Sequence, residues 1–173
     1  NALNNRGNAL GSLEKYEEAI RDYNAAIAIS ANEPDYYFNR AATYYNWKKY
    51  DLAVKDYSKY ISINPKDAVG YSRRGDVYVE QQKYEAAIKY FTTAIGFAPD
   101  NAENYVNRGR VHALENRHDL AIKDFDAGLK LKPTDAFALQ NRGFSYSKKG
   151  DLDRAITDYD KAIELDPANA EIW

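Results

Sequence analysis

The chain of 173 residues carries 24 Lys and Arg against 26 Asp and Glu, a net charge of −2, which argues against a nucleic-acid binder that neutralises phosphates. Cysteine is absent, which excludes disulfides and thiol chemistry. No uncharged apolar run approaches the roughly 18 residues that a membrane-spanning helix needs, so we expect no membrane insertion. No targeting segment is recognisable. The compartment therefore stays unknown, with a soluble, cytoplasmic protein as the default expectation.

A fixed period organises the chain. Four of the five prolines stand at positions 65, 99, 133 and 167, with 34 residues from each to the next. A period of this size indicates stacked supersecondary units. We number the positions of each repeat from 1 to 34, with Ala68 at position 1 of its repeat. The repeats are then 1–33, 34–67, 68–101, 102–135 and 136–169. The first of them lacks position 1, so Asn1 stands at position 2, and residues 170–173 begin a further helix. We therefore expect a single array of repeats over residues 1–173, with no separate catalytic domain.

Each unit has the pattern of two helices joined by a break. Positions 4, 8 and 11 form a stripe at helical spacing, as in Tyr71, Gly75 and Tyr78. A second stripe follows the break, and proline ends that helix. Good N-cap residues precede the next helix at Asp67, Asn101, Asp135 and Asn169. The sequence predicts an all-α fold of ten full helices.

These patterns resemble the tetratricopeptide repeat (TPR) family over essentially the whole chain. The first-helix glycine followed by Leu or Tyr occurs as Gly7 and Leu10, Gly75 and Tyr78, and Gly143 and Tyr146. The second-helix series of alanine, aromatic residue, alanine and proline occurs as Ala155, Tyr159, Ala162 and Pro167. The departures are Ala31 in place of proline, and Tyr60 and Gly128 in place of alanine. We expect the larger Tyr60 to open its helix pair slightly.

The resemblance implies a right-handed superhelical solenoid of five helix-turn-helix units, with a concave groove lined mainly by the first helices. It also implies a scaffold that binds a protein or an extended peptide, with no catalytic residues, no cofactor and no metal. An adaptor domain of a larger multidomain protein is compatible with the same resemblance.

Position 6, on the face opposite the core stripe, carries a recurring polar residue: Asn5, Asn39, Arg73, Asn107 and Asn141. Asparagine is a middling-to-poor residue inside helices, so helix propensity does not explain its recurrence. One interpretation is a relic of recent duplication. The other is a ladder of amides that pair with the N–H and C=O groups of an extended peptide. In the TPR family this position resembles the groove asparagines that hold the ligand main chain, which favours the ladder.

Other groove positions suggest side-chain pockets. Phe38 and Tyr45 are candidates for an aromatic pocket beside Asn39, and a second candidate set beside Asn141 comprises Phe137, Gln140 and Phe144. Arg110 also faces the predicted groove. Single exposed aromatic side chains also occur without a binding role, so both interpretations stay open.

A carboxylate clamp, which in this family grips the C-terminus of chaperone tails, is matched in part. Asn8, Asn39 and Arg73 match its motif, whereas Asn4 and Val69 replace its lysines. Arg73 alone is able to bind a carboxylate bidentately, although the neighbouring Asp76 competes for it. We expect Arg73 to add a preference for an acidic side chain or a terminal carboxylate.

Two other recurring features are interpreted as structural. Position 7 is arginine in all five units, and four units carry aspartate at position 23, so Arg–Asp pairs are expected to brace each unit, with Arg74 opposite Tyr90 as the exception. His112 and His118 lack a clustered third ligand, and packing is favoured over a zinc site.

The alternative function is structural or self-assembling, through the open ends of the array. The ends of solenoids normally need polar caps, whereas Ile172 and Trp173 begin a sixth unit. We expect Trp173 to pack on the last helix pair and leave an apolar edge exposed, which permits end-to-end self-association.

Overall fold

The computed structural model describes residues 2–167, and these residues form ten α-helices without a strand. The helices are α1 (Ala2–Ser12), α2 (Tyr16–Ile29), α3 (Pro34–Asn46), α4 (Tyr50–Ile63), α5 (Ala68–Glu80), α6 (Tyr84–Phe97), α7 (Ala102–Leu114), α8 (His118–Leu131), α9 (Ala136–Lys148) and α10 (Leu152–Leu165). The predicted all-α fold of ten helices is confirmed. Asn169, Ile172 and Trp173 lie outside the described residues. None of the ten helices is long and apolar enough to cross a membrane.

The ten helices form two compact units, one with α1 to α5 and one with α6 to α10. Within each unit every helix packs against its neighbours in sequence. The core of the first unit includes Ala41, Ala53, Tyr57 and Val77, and that of the second includes Ala121, Phe125 and Leu139. Alanine at these contacts lets the helices approach closely, and the aromatic rings fill the space between them.

The same tight turn follows each first helix. Position 15 has a left-handed φ in every repeat: Glu14, Lys48, Gln82 and Asn116 at 56° to 59°, and Gly150 at 81°. The following N–H then reaches back to the carbonyl at position 11, as in the 2.8 Å bond from Lys49 N to Tyr44 O. This is the Schellman arrangement, which satisfies carbonyls at the helix end. Only Gly150 adopts it without the steric cost of a Cβ atom.

Side chains secure the turn between repeats. The tyrosine at position 4 donates to the carbonyl at position 32 in three repeats: Tyr37 to Ala31 at 2.9 Å, Tyr71 to Pro65 at 2.9 Å and Tyr105 to Pro99 at 3.1 Å. Three predicted N-caps are confirmed, since Asp67, Asn101 and Asp135 accept hydrogen bonds from backbone N–H groups at the start of the next helix. Three of the 16 tyrosines therefore secure the turns between repeats.

The two departures from second-helix alanine are matched by residues of complementary size. Tyr60 packs against Gly70 of α5, where an added Cβ would lie 2.6 Å from the Tyr60 ring. In the other case the small residue is Gly128, and a Cβ there would lie 2.7 Å from Cγ2 of Val106. Each site thus pairs one large and one small residue on neighbouring helices. The structure accommodates Tyr60 through Gly70, a partner that sequence analysis did not identify.

Candidate functional site

The position-7 arginines are occupied by structural contacts. Four of them each donate two hydrogen bonds to the aspartate at position 23 of the same repeat. The shorter of the two bonds is 2.6 Å in Arg6–Asp22 and Arg40–Asp56, and 2.7 Å in Arg108–Asp124 and Arg142–Asp158. The predicted braces are confirmed. The exception, Arg74, donates to the Tyr78 hydroxyl at 3.1 Å.

Three of these arginines make an additional bond to the preceding repeat, which sequence analysis missed. The acceptors are Asn24 for Arg40 at 2.5 Å, Thr92 for Arg108 at 3.0 Å and Asp126 for Arg142 at 2.7 Å. All three acceptors stand at position 25. The bond to Asp124 and the charge of this aspartate raise the pKa of Arg108. With their donors engaged in this way, the arginines act as links within and between repeats.

The position-6 asparagines differ in their surroundings. Asn39 is half-buried on α3, and its Nδ2 donates to Oδ1 of Asn4 at 3.0 Å. Asn141 is also half-buried, and its Nδ2 donates to the Phe137 carbonyl one turn earlier on α9, at 2.8 Å. Asn107 is half-buried on α7, and Asn5 is exposed on α1. One amide hydrogen of Asn39 and one of Asn141 are therefore engaged inside the protein, which leaves Oδ1 and the second amide hydrogen of each for a ligand.

The three residues that match the carboxylate clamp each have a partner within the protein. Oδ1 of Asn8 accepts a hydrogen bond from the Tyr23 hydroxyl at 2.7 Å. Arg73 on α5 forms an ion pair with Asp76, at 3.2 Å between Nη1 and Oδ2. Asn39 is held by Asn4, as described. A bound carboxylate would therefore compete with Asp76 for Arg73.

The predicted aromatic residues of the first unit line one cleft. Its volume is about 250 Å³, and we call it the α3–α5 cleft; its walls are Phe38, Ala42, Tyr45, Asn46, Tyr57, Arg73 and Asp76. The Phe38 ring meets Tyr57 edge-on, with ring centroids 5.6 Å apart. Tyr57 belongs to the core stripe of α4 and was not predicted to line a site. Ala42 and Asn46 stand at positions 9 and 13 of the predicted groove face, but their side chains gave no chemical signal.

The charges around the α3–α5 cleft are mainly negative. Burial, together with the carboxylates of Glu80 and Asp76, raises the pKa of Tyr45 to about 12. Burial also raises the pKa of Tyr57, and the charge of Arg73 opposes part of this increase. The side chain of Asp76 is 18% exposed and that of Arg73 is 46% exposed. The carboxylate is therefore the more firmly enclosed member of the pair.

In the second compact unit, the aromatic residues predicted to bind a ligand are more exposed to solvent than a cleft would leave them. Phe137 and Phe144 are 45% and 43% exposed. Phe144 lies edge-on to His118, with ring centroids 6.1 Å apart, and Nζ of Lys148 lies 5.1 Å from the Phe144 ring. Arg110 is half-buried on α7, and its Nε is buried without a hydrogen-bond partner within residues 2–167.

The two histidines occupy different environments. His112 is buried, with Nε2 at 3.8 Å from Oδ2 of Asp124, and burial lowers its pKa. His118 begins α8 and packs on Phe144. Within the part of the chain that the structure describes, no three His, Cys, Asp or Glu side chains cluster as metal ligands would.

Comparisons with known proteins agree on one family. Tetratricopeptide repeat models match residues 34–67 and 136–169, residues 72–136, and residues 2–46. No curated protein sequence matches the chain.

Three solved structures illustrate the similarity of fold. The crystal structure of MamA is 24% identical, with a TM-score of 0.85 over 95% of this chain and 96% of that chain. MamA from Desulfovibrio magneticus RS-1 is 21% identical, with a TM-score of 0.86 over 96% of this chain and 94% of that chain. YrrB, described as a TPR protein with an unusual peptide-binding site, is 24% identical, with a TM-score of 0.76 over 95% of this chain and 85% of that chain. Taken with the repeat pattern and the ten helices, these matches show that the chain belongs to the tetratricopeptide repeat family, whose helical repeats form a non-catalytic, protein-binding scaffold.

Proposed function

We propose that the chain binds an extended peptide, or an extended segment of a protein, on the faces of its first helices. The observation that carries the proposal is the α3–α5 cleft, in which six of the seven lining side chains belong to the first helices α3 and α5. YrrB, which has the same fold, is described as having a peptide-binding site, and this supports the proposal. The resemblance to groove asparagines at position 6 supports a contribution from Asn39, Asn107 and Asn141.

The asparagines would accept hydrogen bonds from peptide N–H groups through Oδ1 and donate to peptide carbonyls through the amide hydrogen that remains. The bond from Nδ2 of Asn39 to Asn4 fixes the orientation of the amide, and the bond from Asn141 to Phe137 does the same. An amide held in this way loses little side-chain freedom when a peptide binds, which favours affinity. Because every peptide carries backbone N–H groups, such contacts do not depend on the sequence of the ligand.

The test begins with peptides selected from a random display library with the purified chain. Changing Asn39, Asn107 and Asn141 together to Ala should leave the helices intact, because Ala is the better helix former. The triple variant should bind a selected peptide about 1.5–4 kcal/mol more weakly, since each amide contact contributes roughly 0.5–1.5 kcal/mol. Fluorescence anisotropy measures the difference.

The matched control removes three hydroxyl groups from second helices, with Ser62, Thr93 and Thr157 changed together to Ala. These hydroxyls bond to carbonyls of their own helices, and their loss should leave peptide affinity unchanged. Unchanged affinity of the asparagine variant would mean that the recurring asparagines are a relic of duplication. Binding would then have to be sought on the second helices.

Self-association is a second candidate function, and an apolar stripe on α10 favours it. Leu152, Ile156 and Ile163 are 59%, 57% and 44% exposed among the described residues. The matching face of α8 includes Leu129, which is buried and packs with Ala138 and Leu139 of α9. If the stripe joins two copies, Ile156→Asp should lower the average mass measured by sedimentation at high concentration. A wild-type chain that stays monomeric at that concentration would contradict this function.

A further inference from the structure

We propose that the α3–α5 cleft binds a cationic side chain, lysine or arginine, of the peptide partner. The inference rests on the proposed function and names the side chain that the first unit selects. It differs from the expectation based on sequence, in which Arg73 selects an acidic group. The difference arises from the partner of Arg73 and from the aromatic walls of the cleft.

The carboxylate of Asp76 is the enclosed charge of the cleft, and Arg73 is the more exposed one. Their side chains are 18% and 46% exposed, and Nη1 of Arg73 lies 3.2 Å from Oδ2 of Asp76, three residues further along the helix. Pairs of this kind contribute little, because the long arginine side chain loses freedom and water screens the charges. A ligand cation is therefore able to displace the Arg73 guanidinium toward solvent, whereas Asp76 stays in place.

Three aromatic side chains form the walls around this carboxylate. Phe38, Tyr45 and Tyr57 line the cleft, and a lysine or arginine cation is attracted to the faces of such rings, most strongly where water is partly excluded. Glu80 adds a second negative charge near Tyr45, and the raised pKa of this tyrosine reflects burial and both carboxylates. Aromatic walls and an enclosed carboxylate together suit a cation with an apolar stem.

The size of the cleft suits one side chain. Its volume of about 250 Å³ is below the range of about 300–1,000 Å³ that is typical of small-molecule sites. Arginine and lysine bury their methylene stems against apolar surface while the charged end meets a polar group. The rings would contact the stem, and Asp76 would contact the charged end.

The direct test uses four capped heptapeptides that share a Ser/Gly backbone and differ only in the central residue, which is arginine, lysine, norleucine or glutamate. Binding is followed by NMR through the Ala42 methyl and Asn46 side-chain amide signals, both of which belong to the cleft. The arginine and lysine peptides should bind about fivefold or more tightly than the norleucine peptide, and the glutamate peptide should bind most weakly. Equal binding of the four peptides, or tightest binding of glutamate, would overturn the inference.

Two variants identify the charges responsible. Asp76→Asn keeps the shape of the side chain and should reduce the preference for cations over norleucine, with the aromatic walls and Glu80 left in place. Arg73→Gln removes the competing guanidinium and should tighten the binding of the cationic peptides. Weaker cation binding by Arg73→Gln, or an unchanged preference in Asp76→Asn, would contradict the assignment. Glu164→Gln is the control, because it removes one exposed carboxylate from α10 and should change none of these values.

The same titration separates the two proposals. If all four peptides shift the cleft signals equally, peptide binding stands and the preference for a cation is wrong. If none shifts them, the cation site is likewise wrong, and the library selection described above decides the proposed function on its own.

Discussion

Arg40 illustrates how one side chain holds a buried charge and links two repeats. Its side chain is 17% exposed, and that of its partner Asp56 is 5% exposed. Arg40→Met should leave the Asp56 carboxylate buried without its cation and lower the free energy of unfolding by about 3 kcal/mol. Urea unfolding followed by circular dichroism measures this change.

Arg6 provides the comparison for this prediction. It makes the same two bonds to Asp22, but its side chain is 67% exposed. When this arginine is removed, water therefore replaces much of its hydrogen bonding to the Asp22 carboxylate. Arg6→Met should therefore destabilise the chain less than Arg40→Met. Equal losses for the two variants would show that burial of the pair does not set its contribution.

His112 should make stability depend on pH. Burial lowers its pKa below the ordinary value of 6.5, with further effects from the charges of Asp124, Arg108, Arg117 and Glu115. The unfolded chain binds a proton at this histidine more readily than the folded chain does. The contribution of neutral His112 to the free energy of unfolding is therefore fully present above the ordinary pKa and is lost as the pH falls through the lowered pKa. The wild type should thus lose stability on acidification from neutral pH.

The control is His112→Tyr, since tyrosine stands at the same position in three other repeats. Carboxylates titrate in both proteins, so the difference between their unfolding free energies across pH 5–7.5 isolates the histidine. The difference should change with pH, to the disadvantage of the wild type at the acidic end. Parallel curves would mean that His112 titrates alike in the folded and unfolded chains.

At the scale of the helices, Tyr60 and Gly70 form a close packing contact between α4 and α5. Gly70→Ala places a methyl group within 3 Å of the Tyr60 ring, and overpacking of this kind costs about 1–3 kcal/mol. Tyr60→Ala removes the obstacle, so the double variant should be more stable than the sum of the two single changes predicts. Thermal unfolding of the four proteins measures the coupling.

Gly96 is the matched control for this cycle. It lies in α6, and nothing within 4 Å would meet an added Cβ there. Gly96→Ala should stabilise the chain by about 0.5–1 kcal/mol, because alanine restricts the unfolded chain and favours the helix. If Gly70→Ala behaves like Gly96→Ala, the Tyr60 ring moves aside without cost.

The 34-residue register predicted the features that repeat. The N-caps at Asp67, Asn101 and Asp135 and the Arg–Asp pairs follow from residue type and spacing, because the same local geometry recurs in each repeat. The fit of Tyr60 against Gly70 does not follow from the register, since it depends on the distance between two particular helices. The bond from Asn39 to Asn4 was also missed, because spacing assigns a side chain to a face but does not set its rotamer or its partner.

At the scale of the whole chain, the first helices carry the candidate binding features and the second helices carry much of the structural bracing. The aspartates that hold the position-7 arginines all lie on second helices, whereas most of the walls of the α3–α5 cleft come from α3 and α5. This division agrees with a scaffold that keeps its helices rigid and presents one face of each repeat to a partner.

The most direct test of peptide binding on the first helices uses a library-selected peptide that carries a nitroxide label. The label broadens NMR signals of nearby residues, so it reports which helices lie beside the bound peptide. We expect broadening on first helices only, on α3 and α5 for a peptide bound to the first unit and on α7 and α9 for a peptide bound to the second. Broadening confined to the second helices α2, α4, α6, α8 and α10 would contradict peptide binding on the first helices.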